Sequence, residues 1–195
     1  MDFKDLYSDT LDKCVENGLS FRILPKRTHQ GTAGWVCEDE FLVCSKRSDF
    51  LDVFVHESCH VDQLLEKDSI WYDKALADGM DIWDTDFGAK HPRKWLNGWK
   101  KTVELELDCE NRALEKIKKY KLKIDNQDYI CRANCYTASY FYFHKYKCFY
   151  HPKNTPYRHA GLISMFPSDK VYTLEEAWRP RKELGDFIKQ NNKPL

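Results

Sequence analysis

The feature that most constrains how this chain can fold is an apolar run, Leu51 to Leu65, with His56-Glu57-Ser58-Cys59-His60 at its centre. Leu51, Val53, Phe54, Val55, Val61, Leu64 and Leu65 surround these residues at spacings compatible with a helix buried in a core. In such a helix, side chains four apart share a face. His56 and His60 can therefore direct two imidazole nitrogens at one ion, about 2.0–2.1 Å from each. Glu57 sits beside the first of them and can reach a water on the open side of that ion to take its proton. The spacing thus reads as two metal ligands plus a general base. Ser48 and Asp49 precede the run and can cap its start. A surface helix with two unrelated histidines is the plain alternative, and the apolar context argues against it.

A third ligand is expected from the next long helix, read over about 101–120. Val103, Leu107, Glu110, Leu114 and Ile117 follow one another at four, three, four and three, so a buried stripe is interrupted by one carboxylate. A buried, unpaired carboxylate is costly, and binding a metal is one of few ways to offset that cost. Glu106, one turn earlier on nearly the same face, competes with Glu110, whereas Asp108 and Glu104 point more to the side. Solvated glutamates on an exposed face are the bland reading for any of them.

The other elements can be placed around these two helices. Phe3, Leu6, Tyr7, Leu11 and Cys14 predict an amphipathic helix over residues 1–19, ended by Asn17 and Gly18. Ser20 to Leu24 alternates as a strand does. Turn residues at 29–34 and the apolar runs from Gly34 and from Phe41 predict a hairpin just before the motif helix. A strand there can flank a cleft and pair with an extended peptide, or serve only as scaffold. Residues 70–100, with Trp71, Trp83, Trp95 and Trp99 punctuated by Gly79, Gly88, Pro92 and Gly98, read as short helical turns packed by aromatics. A helix follows from Asp128 to about Lys145. Leu174, Trp178, Leu184 and Phe187 then mark a last amphipathic stretch broken by Pro180, ahead of a loose tail from Asn191.

Composition excludes several classes of function. Lys plus Arg equals Asp plus Glu at 31 each, so no global field draws the chain to nucleic acid or a membrane surface. There is no apolar run of membrane-spanning length, and the first residues lack the plan of a secretion signal, so the expected location is a cytoplasm. The 195 residues, 42% apolar and 14% aromatic, suffice for one domain with a real core. Eight cysteines without a Cys-x-x-Cys pair read as reduced thiols. Cys131 and Cys135, one turn apart near His144 and His151, are the minor candidate for a second metal site.

The motif helix, with Glu110-Asn111-Arg112-Ala113 on the later helix, resembles the gluzincin group of zincin metallopeptidases. In that group a downstream glutamate, often written Glu-x-x-Ala, is the third zinc ligand. The resemblance covers about two helices and implies an α+β zincin-like fold. Its parts would be a small antiparallel sheet with the N-terminal helix at 1–47, a metal-binding core at 48–120 and a helical portion at 121–195. It further implies His56, His60 and Glu110 as Zn2+ ligands and Glu57 as catalytic base. Several gluzincins place an acid four residues past the third ligand to support a ligand histidine, whereas Leu114 stands four past Glu110. Glu106 or Asp108 can fill that role instead. A short chain with this motif is also similar to small His-Glu-x-x-His proteins encoded by tailed phages.

The expected activity is hydrolysis of a peptide bond in a protein or peptide substrate. The oxyanion of its tetrahedral intermediate needs a donor, and Tyr136, Tyr140, His144, Tyr157, Arg158 and His159 are available. A second class of function uses the same residues differently: a zincin fold that keeps its metal for stability and serves as a binding or structural component, for example with an assembly partner in a virus particle. Action on DNA-bound proteins is disfavoured by the zero net charge.

Overall fold

The computed structural model describes residues 1–25, 33–66, 70–74, 76, 85–150 and 154–194. The turn read at 29–32, the end of the motif helix at 67–69, Gly79, Trp83 and His151 lie outside the described residues. The chain divides into two compact units, Met1–Ser69 with Cys109–Asp125, and Ile70–Asp108 with Asn126–Leu195. The fold class is α+β, mostly helical with a small three-stranded sheet.

In the first unit, α1 (Phe3–Glu16) begins with a capping box. The Asp2 carboxylate accepts from the Lys4 and Asp5 amides, and the Asp5 carboxylate accepts from the Asp2 amide. The helix ends at Asn17, and Gly18 at φ +76° makes the left-handed exit that a side chain would resist. Three strands follow, β1 (Ser20–Leu24), β2 (Gly34–Val36) and β3 (Glu40–Cys44), in the order β1-β3-β2. The expected hairpin is β2 against β3, antiparallel with Val36 opposite Phe41, but β1 runs parallel to β3 with Phe21 opposite Phe41. The sheet is therefore mixed, not antiparallel. The continuous run Phe41, Leu42, Val43 and Cys44 is buried throughout, which suits a central strand paired on both sides. Phe21 stacks on Phe41 at 4.8 Å, and Phe54 meets Phe3, Tyr7 and Phe41, which joins α1, the sheet and the next helix in one aromatic core.

That next helix is α2 (Phe50–Leu65), which carries the motif. Asp49 occupies the N-cap position without a side-chain cap bond, because its carboxylate takes the Arg47 guanidinium at 2.6 and 2.8 Å. The long helix α4 (Pro92–Lys119), preceded by the short α3 (Thr85–Lys90), starts nine residues earlier than expected. Pro92 at its first turn needs no hydrogen-bond acceptor, and Gly98, read as punctuation, is buried within it. The stretch of α4 from Cys109 is strapped to α2 by charge. The Lys116 ammonium donates to the Ser58 carbonyl at 2.8 Å and pairs with Asp62 at 2.7 Å, while Arg112 clasps Glu66 at 2.7 and 2.8 Å. Tyr120 donates to Asp9 of α1 at 2.7 Å.

In the second unit, α5 (Asn126–Tyr146) is buried on most of its surface. Asn134 donates to the carbonyls of Pro167 and Lys170 and accepts from the Tyr172 amide, which fixes the passage from α6 (Ala160–Ile163) to α7 (Leu174–Ala177). The helix α8 (Lys182–Gln190) approaches α5 closely at Gly185, where a Cβ would stand 2.9 Å from Cζ of Tyr142. The expected loose tail is instead paired: β5 (Asn192–Pro194) runs antiparallel to β4 (Cys148–Tyr150), a backbone interaction that a composition of Asn, Lys and Pro does not announce. No described helix is long and apolar enough to cross a membrane.

Tyr120→Phe should lower stability by about 1.5–3 kcal/mol, the scale of a hydrogen bond to a charged group. Burial and the Asp9 carboxylate push the Tyr120 phenol up to about 12, and Asp9 lies below its ordinary 3.8 despite burial, because the Tyr120 and Lys13 partners outweigh it. A raised phenol contributes stability that is complete below pH 10 and lost as pH rises through about 12, whereas the lowered carboxylate contributes stability lost as pH falls below 3.8. Denaturant melts of both proteins should therefore differ by a constant amount between these limits and converge outside them.

Candidate metal centre

Helix α2 places His56 and His60 one turn apart, with their Nε2 atoms 3.1 Å apart and their rings crossed at 86°. The other ring nitrogens decide what these two atoms can do. Nδ1 of His60 lies 2.7 Å from Oε1 of Gln63, which has no exposed surface. An amide oxygen only accepts, so Nδ1 carries the proton and Nε2 keeps its lone pair. Nδ1 of His56 lies 3.2 Å from Oε1 of Glu110, a carboxylate that likewise accepts. Neutral imidazoles with both Nδ1 atoms protonated would turn two lone pairs towards each other across 3.1 Å, an arrangement that a proton or a metal cation between them relieves. Tetrahedral coordination at 2.0–2.1 Å would hold two such nitrogens about 3.3–3.4 Å apart, so the pair fits an ion with little adjustment.

Cys109 is the residue that sequence reasoning missed. Its thiol donates to the His56 carbonyl at 3.2 Å and lies 3.5 Å from Nδ1 of the same residue. Donor atoms of His56, His60 and Cys109 come within 4.8 Å of one another, and among the described residues this is the group able to hold a metal ion. Cys109 adjoins Glu110 on α4 and shares its side of His56. Its residue type was a signal, although the stripe argument drew attention to the carboxylate. Burial would raise the neighbouring Cys59 thiol, but its hydrogen bond with Cys109 and the charge of Lys116 outweigh that and lower it.

Glu57, the candidate base, is buried against β2, the edge strand of the sheet. A Cβ at Gly34 would stand 2.6 Å from Cδ of Glu57, so the carboxylate lies where only glycine leaves room. The sequence shows Gly34 as a turn residue and gives no hint of this contact.

The remaining candidates fall in the second unit. Glu106 accepts hydrogen bonds from Tyr136 at 3.1 Å and Tyr140 at 3.0 Å, and the two phenols are 2.7 Å apart. Burial, then the Glu106 charge, raise the Tyr140 phenol well above its ordinary range. Asp108 is half-buried on α4, and Glu104 pairs with Lys101 at 2.6 Å. His144 lies among Trp95, Trp99 and Trp178 at 5.0 to 6.3 Å, where burial and then Lys147 and Lys100 lower its pKa. His159 is exposed beside Phe187, and Tyr157 packs edge-on against Tyr136. Cys131 donates to the Phe166 carbonyl, and burial pushes Cys135 up to about 12. With His144 among tryptophans, the described residues do not gather the second cysteine site.

Gly34→Ala should push the Glu57 carboxylate from its place or move β2, at a cost of about 1–3 kcal/mol for overpacking a filled site. A crystal structure of the variant with an unchanged Glu57 position and an unchanged melting temperature would contradict the contact. Comparison with protein-family models, with curated proteins and with solved structures returns no match for this chain, so its reading rests on these side chains.

Proposed function

We propose that the chain is a zinc-dependent metallopeptidase of the zincin type that hydrolyses peptide bonds in protein or peptide substrates. The observation that carries this reading is the pair of Nε2 atoms 3.1 Å apart, with an acceptor oxygen beside each Nδ1 and Glu57 next in sequence to His56. Zinc in this donor set would act as a Lewis acid on a scissile carbonyl and lower the pKa of a water towards about 7. Glu57 would be the general base for that water and would return the proton to the leaving amine. Gly34 leaves room for the carboxylate to do so without displacing β2. An extended peptide added to the outer edge of β2 would lie along the strand that Glu57 touches.

Glu110 stands where the resemblance expects the third ligand, and its 3.2 Å contact with Nδ1 of His56 also lets it orient that histidine. Glu110→Gln should weaken zinc binding by about 10- to 100-fold, the scale of losing a partner that orients a ligand histidine. Unchanged zinc affinity of the variant in a chelator competition would remove Glu110 from the site.

The activity itself is tested with Glu57→Gln. About one zinc per chain should be retained, and turnover of a peptide library should fall at least ~10²-fold, the low end for a positioned general base. Equal turnover in variant and wild type would refute the mechanism. Zinc without hydrolysis of any substrate would instead favour a binding or structural role for the same fold.

A further inference from the structure

Of the two imidazoles, His60 is the more buried, and its Nδ1 faces an uncharged partner where His56 faces a carboxylate. We infer that Gln63 is a positioning residue that makes His60 a metal ligand by fixing its tautomer, a step that rests on the zinc reading above. Free imidazole in a peptide favours the proton on Nε2, the nitrogen that would have to coordinate. Something must hold it on Nδ1 instead. Gln63 is one turn beyond His60 on α2, fully buried, with its Oε1 2.7 Å from Nδ1. That distance is a short hydrogen bond between two buried groups.

The orientation of the amide carries the whole effect. With Oε1 towards the ring, Nδ1 must donate and Nε2 is a lone-pair donor. With the amide nitrogen towards the ring, Nδ1 must accept, the proton moves to Nε2, and coordination is blocked. A partner without donors removes this ambiguity, so a carboxylate at position 63 should do the positioning as well as the amide.

The test reads the tautomer directly. Long-range proton–nitrogen correlation spectra of the full-length chain, metal-free and zinc-loaded, should show His60 protonated at Nδ1. Gln63→Glu should keep that tautomer and bind zinc at least as tightly as wild type. Gln63→Leu, similar in volume but without an acceptor, should move the metal-free His60 to the Nε2-protonated form and weaken zinc about 10- to 100-fold. A merely structural glutamine would leave the tautomer unchanged in Gln63→Leu, and that result overturns the inference. So does a wild-type His60 protonated at Nε2 in the metal-free chain. Should Gln63→Leu fail to fold, the wild-type and Gln63→Glu spectra still decide. A wild type that binds zinc through the expected tautomer and hydrolyses nothing sinks the peptidase reading and leaves the role of Gln63 supported.

Discussion

The first unit depends on how an apolar helix accommodates the polar groups it buries. Helix α2 is packed by Phe54, Val55, Cys59, Val61 and Leu64, yet the same turns carry Glu57, Ser58, His60 and Gln63 with little or no exposed surface. Each such group would cost stability if its hydrogen bonds were not replaced inside the protein. The surrounding elements supply the replacements. Gln63 answers His60, Lys116 answers the Ser58 hydroxyl at 3.0 Å, and Glu110 answers His56. Most of these partners come from α4, which explains why a helix that could have packed with an apolar stripe alone carries Cys109, Glu110, Arg112 and Lys116 towards α2.

Helix α4 consequently mixes two kinds of information in one sequence, and this decides what could be read in advance. Its apolar stripe at Val103, Leu107 and Ile117 is legible by periodicity, and so is the carboxylate that interrupts it. The role of that carboxylate is not. A buried glutamate can coordinate an ion or accept from an imidazole, and the spacing is the same in both cases; only the 3.2 Å contact with Nδ1 of His56 separates them. Cys109 illustrates the same limit. A thiol in a helix reads as a small apolar residue until its sulfur is seen 3.5 Å from a histidine nitrogen. Gln63, three residues past a motif histidine, gave no periodic signal, because one amide hydrogen bond has no signature in a hydropathy pattern.

Elements set by local rules were legible. Asn17 and Gly18 end α1 as capping chemistry predicts, and Pro180 separates α7 from α8. The departures arise where pairing is non-local. The direction of β1 depends on which edge of β3 remains after the hairpin forms, a question of sheet closure that no residue of Ser20–Leu24 answers alone. The final strand forms through backbone groups with β4, so side-chain composition could not forecast it. Likewise Gly98 and Pro92 look like breaks by residue type. Position decides otherwise, since Pro92 opens a helix where its missing amide is harmless.

In the second unit the same principle organises Glu106. Two phenols, Tyr136 and Tyr140, reach one of its carboxylate oxygens and each other, on a helix otherwise filled by Ile130, Ala133, Ala138 and Phe143. Burial first, and then the charge of that carboxylate, oppose ionisation of the Tyr140 phenol. Tyr140 is therefore a hydrogen-bond donor over the ordinary pH range rather than an acid. The donation of both phenols to one oxygen also fixes the rotamer of Glu106, which limits the directions in which the carboxylate can present its lone pairs. Glu110, one turn further along α4, is fixed in the same way by a donor, but that donor is a histidine of the motif. The two acids of one helix face are thus set by different partners, phenols for the first and an imidazole for the second, and that difference makes their roles chemically distinct despite identical side chains.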